Sequence, residues 1–445
     1  MSSADLFAIG ASGLKSFRAQ MGAVSENIAN SDTPNYNRRT VNIKESALSV
    51  STEPLYIPRA DFGGSEIDGV SRANDPYLDA TARLTGSSLG SANTRMRWLS
   101  DVETALNDDA LGVGNSLSNM YGAIDKLAAS PGDPSLRTNM VYSIEQVVTA
   151  FHSSSDALNT TLQGTYSAAQ GDVTLINDSL SELARVNDAL LRSRPNTSNY
   201  AQLLDSRDAE LSKITQRLDV TITFGANEAA TLTYDGQTLV QGNATLPVQV
   251  SQNANGTLQL MVDGTNVTTP TNGSLHGLFT GATVARQRLD ALDTLAVQFS
   301  GDMNTWHTAG LTDANAAGGA LLSVGTTAAS LAQVLSDPSL IAAKSADGRL
   351  NGNLLNIGTT RGTGSVEQGW TALVVAHGNL VNTTKTEQAA AQTRDDNAQA
   401  ARADVSGVDL DREAADLIRI QQAYQAAARI IQAARDITDA ILNLR

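Results

Sequence analysis

Apolar residues recur at helical spacing at both ends of the chain. Phe7, Gly10, Leu14, Phe17, Met21, Val24 and Ile28 are separated alternately by three and four positions, which puts them on one helical face. Ser2 with Asp5 resembles a capping box at the start. A helix from there to about Ala29 is roughly 35–40 Å long. Thr33-Pro34-Asn35-Tyr36 ends it, with Pro34 suited to the second position of a turn and Asn35 to the positive φ of the third.

The last segment mirrors the first. Leu417, Ile420, Tyr424, Ala427, Ile431, Ala434 and Ile441 lie on one stripe, interrupted by Thr438. Ile430, Ile437 and Leu444 add a second stripe at sevenfold spacing, so the apolar face is wider than a two-stranded seam requires. Asp409, Asp411 and Glu413 stand where an incoming helix favours negative charge, and Arg435 and Arg445 lie towards its other end.

Between the ends, Leu289, Leu292, Ala296, Phe299, Met303 and Trp306 keep a helical period, with Gly310 as a stop. Similar striping covers Leu136 to Phe151, Val173 to Leu190 and Leu203 to Leu218, and another run starts at Trp370 and passes through Leu373, His377 and Leu380. Residues 45–75, with Pro54, Pro58 and several glycines, read as an extended connector. Asp219 to Phe224, Thr231 to Tyr234, Gln237 to Val240 and Thr257 to Val262 are short β-branched runs, with Asp235-Gly236 and Asp263-Gly264 at hairpin positions. Residues 311–365 read as loops with one helix near Ala328 to Leu335. The fold expected is mainly α with a small β insertion, elongated, its terminal helices paired in a coiled-coil-like inner domain beside a helical-bundle body.

Composition narrows the function. A formal charge of -15 argues against nucleic acid and against an anionic membrane surface as partners, and no window of the sequence reaches the length of a membrane span. Cysteine is absent, which removes disulfides and thiolate chemistry. The N-terminus has neither a basic stretch nor a continuous apolar one, so it is no classical signal peptide.

Candidate chemistry is sparse. His152, His276, His307 and His377 are not at metal-ligand spacing; His377 falls on an apolar stripe as a core histidine would, and His307 sits near a helix end where capping a carbonyl suits it. No Walker A, dinucleotide fingerprint or nucleophile elbow is present. Asp313 and Asn315 begin a calcium-loop-like run that lacks the later carboxylates. No catalytic, cofactor-binding or metal-binding residue is therefore assigned. An apolar helix face ordinarily serves intramolecular core. Here the stripes occupy the extreme ends, where most chains are polar and frayed, and one is broad, which favours self-assembly.

The segment LKSFRAQMGAVSENIANSDTPNYNRRT (14–40) resembles the N-terminal signature of flagellar axial proteins, with Asn30, Pro34, Asn35 and Tyr36 in its turn. Residues 405–445 resemble their C-terminal signature. Three interior stretches, 126–151, 202–224 and 273–310, are similar to the hook-associated protein 1 family of the hook–filament junction. Asn35 stands where the family's turn usually has Gly, and the chain is short after about residue 320, where larger members carry an outer β-rich domain.

The resemblance implies a non-catalytic, secreted, extracellular subunit that leaves through the flagellar type III export gate, its termini largely disordered before assembly. It implies a ring of about eleven copies, with hook protein, the second junction protein (hook-associated protein 3) and an export chaperone as partners, and no cofactor. The assembly residues expected are Leu14, Phe17, Met21, Val24, Ile28, Leu417, Ile420, Tyr424, Ile431, Ile441 and Leu444, with Phe17, Met21, Val24 and Ile28 packed against Leu417, Tyr424, Ile431 and Ile441 within and between subunits. The division expected is 1–44 and 405–445 as the inner helical domain, 45–218 and 273–404 as the body, and 219–272 as the β insertion. A hook or distal rod subunit would share both terminal signatures. A wall-hydrolysing enzyme would need two positioned carboxylates, and a surface adhesin a ligand pocket.

Overall fold

A computed structural model describes residues 3–33, 35–46 and 64–442, without the side chains of 3–5 and 441–442. Ser2, Pro34, Pro54, Pro58, Leu444 and Arg445 therefore lie outside the described residues, as do the side chains of Asp5 and Ile441. The chain is mainly α, as its periodicity predicts. Helix α1 (Ser3–Ala29) leads through a turn into strand β1 (Arg39–Glu45), which pairs antiparallel with β2 (Ser65–Arg72). The expected connector thus contains a strand, β2, which pairs with the strand ahead of it and lies along α1, where Ser65 N donates to Ser12 Oγ at 3.1 Å and the Ser16 and Ser65 hydroxyls meet at 3.0 Å.

Helix α2 (Pro76–Ala105) and α3 (Val113–Ala129) occupy a stretch to which no helix is assigned above, although Leu117, Met120, Ile124 and Leu127 of α3 recur at helical spacing. Asp75 caps α2 and Asp133 caps α4 (Pro134–Arg192), each accepting from two backbone N–H groups with proline at the first helical position. The two striped runs expected within α4 are one continuous helix, about 90 Å long at 1.5 Å per residue. Helix α5 (Ser198–Thr215) follows.

Seven strands then form two small sheets. β3 (Thr221–Phe224), β4 (Ala230–Tyr234), β5 (Gln237–Gln241) and β6 (Ala244–Thr245) make one antiparallel sheet in that order. β7 (Val248–Gln252), β8 (Leu258–Val262) and β9 (Thr265–Asn266) make the other. Asp235-Gly236 and Asp263-Gly264 take positive φ at both positions, the twist a two-residue hairpin needs. The sheets are fastened to α4 by two asparagines, which satisfy their buried amides on strand backbone. Asn177 exchanges two hydrogen bonds with Val248, and Asn187 two with Ala230.

Helix α6 (Gly273–Thr308) returns through the centre of the body and stops just before Gly310. Its approach to α2 is made by glycine: a Cβ on Gly277 would lie 2.6 Å from Ser91 O, and one on Gly281 would lie 2.8 Å from Trp98 Cβ. Leu99, Phe151, Phe299 and Trp370 are among the largest fully buried side chains of the core, with Phe151 stacked on Phe299 at 5.9 Å.

Residues 311–365 hold β10 (Leu322–Ser323), β11 (Ala332–Gln333), the short helix α7 (Gly352–Leu355) and single 3-10 turns. The helix expected near Ala328 to Leu335 is one such turn at Ala328–Ser330. Helix α8 (Val366–Ser406) runs out of the body, and α9 (Leu410–Leu442) packs on α1.

Candidate functional site

The pairing of α1 with α9 is antiparallel. Gly10 lies against Ala427 and Ile431, whereas Asn27 reaches Glu413, so the α9 partner falls in number as the α1 residue rises. A Cβ on Gly10 would sit 2.5 Å from Ile431 Cγ1, and one on Gly13 would sit 3.6 Å from Ala427 Cβ. Small residues therefore let the helices close where leucine would hold them apart. The α9 row that is buried is Glu413, Ile420, Ala427 and Ala434, at sevenfold spacing. Leu417, Tyr424 and Ile431 are half-buried beside it, and on α1 Val24 is buried while Leu14, Phe17, Met21 and Ile28 are half-buried.

The expected partnership of Phe17 to Ile28 with the whole α9 stripe is thus shifted. In the antiparallel register Ile431 meets Gly10. Ile430 and Ile437, the second stripe, face outward with 41% and 46% of their surface exposed.

Where the pair meets the body, charges replace apolar contacts. Glu413, expected as a first-turn carboxylate, is wholly buried and accepts from Asn27 Nδ2 at 3.0 Å and from Arg38 Nε at 2.5 Å. Asp409 does take the role expected at the helix start, accepting from the N–H groups of Asp411 and Arg412. Asn27 is fully satisfied: its other contacts are Arg39 O at 3.0 Å, Arg39 N at 2.9 Å and the Tyr36 hydroxyl at 2.9 Å. Burial pushes the Tyr36 hydroxyl up to about 12, so it stays a donor. Asn35 takes φ 62°, the left-handed conformation its residue type suggests, and its side chain accepts from Arg402. Asn30 bonds its own turn through Glu26 O and Thr33 Oγ1.

A chain of ion pairs continues inward. Arg39 bridges Glu26 and Asp205, both at 2.9 Å. Arg72 joins Asp205 at 3.0 Å to Asp208 at 2.6 Å, and Arg207 holds Asp208 at 2.7 Å. Burial raises the Asp208 carboxyl, but Arg207 and Arg72 outweigh it and hold it below the usual carboxylate range. Arg402 on α8 pairs with Asp79 on α2 at 2.7 Å. Two backbone bonds brace the same place: Arg38 N donates to Ser406 O at 2.9 Å and Ala73 N donates to Arg38 O at 2.8 Å.

The remaining chemical candidates are structural. His377 is buried and bonds Leu99 O at 2.9 Å through Nε2. His307 is buried too, bonding Gly319 O through Nδ1 and accepting from Ala342 N through Nε2, so it ties a loop rather than its own helix end. Asp313 pairs with Arg137 at 2.9 Å in place of a cation loop. Among the described residues no cluster of His, Asp and Glu could hold a metal ion, and none of their helices is long and apolar enough to cross a membrane.

A family model for the FlgK helical domain of flagellar hook-associated protein matches residues 99–322, the interior of the body. The chain belongs to the flagellar hook-associated protein FlgK family. Models described as the flagellar basal body rod FlgEFG C-terminal region and the flagella basal body rod protein match residues 392–444 and 7–37, the two helices of the pair. FlgK-family membership makes the chain a structural component of the flagellum.

Flagellar hook-associated protein 1 of Bacillus subtilis is 22% identical over 97% of this chain and 96% of that protein. The Salmonella typhimurium protein of the same name is 26% identical over 67% of this chain, which spans only 56% of its length. The solved flagellar hook junction protein FlgK of Burkholderia pseudomallei shares the fold, with a TM-score of 0.66 at 14% identity over 75% of this chain and 100% of that one.

Proposed function

We propose that this chain forms the hook–filament junction by self-assembly of its terminal helices after flagellar type III export, without catalysis. The observation that carries the proposal is the apolar side of α9 left over once α1 is paired. Ile430 and Ile437 stay exposed beside a seam already closed by Ile420, Ala427 and Ala434. A second apolar stripe alongside a satisfied one calls for neighbouring copies. Residues 1–44 and 405–445 are then the inner domain, 45–218 and 273–404 the body, and 219–272 an insertion in it.

The finished assembly is an extracellular ring of about eleven copies between hook protein and hook-associated protein 3, as closed heterologous contacts allow. Before export the termini stay unpaired, guarded by a chaperone, because a striped helix without its partner cannot offset its ordering entropy. The interior match at 99–322 favours the junction over a hook or rod subunit, whose signatures lie at the ends alone.

The test is Ile437→Asp, which leaves the intrachain seam untouched. The variant keeps the far-UV spectrum and body stability of the parent but supports no hook–filament attachment and no swimming. Normal filaments in cells that make only this variant overturn the proposal.

A further inference from the structure

A cavity of about 310 Å³ opens between β2, α2, α5 and β3, beside the ionic joint. Its charged lining is Arg72, Arg83 and Arg207 against Asp79, Asp208 and Glu228. The balance is not kept by pairing. Asp208 is shared by Arg72 and Arg207, Glu228 stands 3.5 Å from Arg207, and Asp79 is taken by Arg402, which is not in this lining. Among the described residues Arg83 has no carboxylate within ion-pair distance and no hydrogen-bond partner for its guanidinium. Burial lowers its pKa, Asp208 and Asp79 raising it less than burial lowers it. Arg83 is therefore the one guanidinium of this lining left without a carboxylate at ion-pair distance, since Arg72 also holds Asp205.

The remaining walls include Pro76, Tyr200 and Phe224, apolar surfaces that suit the stem of a side chain rather than a bare ion. We propose that this cavity receives an Asp or Glu side chain from a second copy of this chain, whose carboxylate pairs with Arg83. The inference rests on the assembly reading above. A carboxylate is the charge a second copy supplies most readily, since the chain carries 46 acidic residues against 31 lysines and arginines. The planar guanidinium suits a two-point grip on it. The monomer bears the cost of an unmatched, partly desolvated cation, and assembly removes that cost.

The experiment places p-benzoylphenylalanine at position 200, in the cavity wall, and irradiates intact flagella from cells producing the full chain. The expected product is an adduct of twice the chain mass whose cross-linked peptide contains Asp or Glu. Arg83→Ala lowers its yield at least fivefold and Arg83→Lys does so less, while the purified Arg83→Ala monomer melts no lower than the parent. Two results overturn the proposal: no chain–chain adduct although the chain is present in flagella at parental amount, or an adduct yield indifferent to Arg83→Ala. A chain absent from flagella altogether overturns the assembly reading itself, and this inference with it.

Discussion

Asp208 is the place where the joint is most vulnerable. Its side chain is 3% exposed and holds two arginines that are themselves 4% and 6% exposed. In Asp208→Ala, Arg207 loses both bonds to the carboxylate, at 2.9 and 2.7 Å, and Arg72 loses one at 2.6 Å. Part of the pairing survives, because Arg72 keeps Asp205 at 3.0 Å and Arg207 keeps Glu228 O at 2.7 Å. Removing one partner of a buried pair costs about 3–5 kcal/mol, and here two cations are stranded while each retains one acceptor. The expected loss is therefore about 3–4 kcal/mol, a fall in Tm of roughly 3–4 °C for a chain of this size.

Asp208→Asn keeps one acceptor oxygen and loses about half as much. Trp98, Trp306 and Trp370 are all buried in the body and report its urea unfolding by fluorescence. Because the arginines hold the Asp208 carboxyl below its ordinary pKa, its contribution is present above about pH 4 and is lost only as pH falls through the folded value. The alanine penalty is thus constant from pH 8 to 5. A loss below about 1 kcal/mol, the level of an exposed ion pair, refutes the reasoning.

Gly277→Ala drives a methyl into Ser91 O at 2.6 Å and forces α2 from α6, so it destabilises the body by about 1–3 kcal/mol, measured as a lower urea midpoint. Burial lowers the pKa of His276, His307 and His377. Below about pH 6.5 the unfolded chain binds protons that the folded one refuses, so stability falls as pH drops, by at most about 1.4 kcal/mol per pH unit for each histidine. Unfolding free energies that are flat from pH 7.5 to 5.5 contradict this.

The sequence reveals most where one side chain decides the backbone. Asp-Gly at 235–236 and 263–264 and Asn at 35 each take the positive φ their residue types favour. Helix α2 is silent in the hydrophobic pattern for a physical reason. Up to Ala92 its buried side chains are small or polar (Asp79, Ala82, Ser87, Ser91 and Ala92), and the glycines of α6 close on it at Ser91 and Trp98, so close contact replaces a leucine stripe there. Its start was nonetheless legible, since Asp75-Pro76 is the cap and first residue that Asp133-Pro134 repeats for α4. Glu413 escapes for the opposite reason. It occupies a core heptad position with Ile420, Ala427 and Ala434, and only the fold brings Asn27 and Arg38 to it. The exposed Ile430 and Ile437 were visible as a second stripe, but periodicity cannot say which stripe the chain uses on itself.

Among the described residues the chain passes between the terminal pair and the body twice, once at 72–76 and once at 406–410, and Arg38 is bonded through its backbone to both crossings. A rod held by a single tether spins freely about its axis. A rod held by two, with a cross-brace between them, resists twist as well as bending. The joint therefore carries torque, and rotation imposed on the paired helices reaches the body without a slipping clutch.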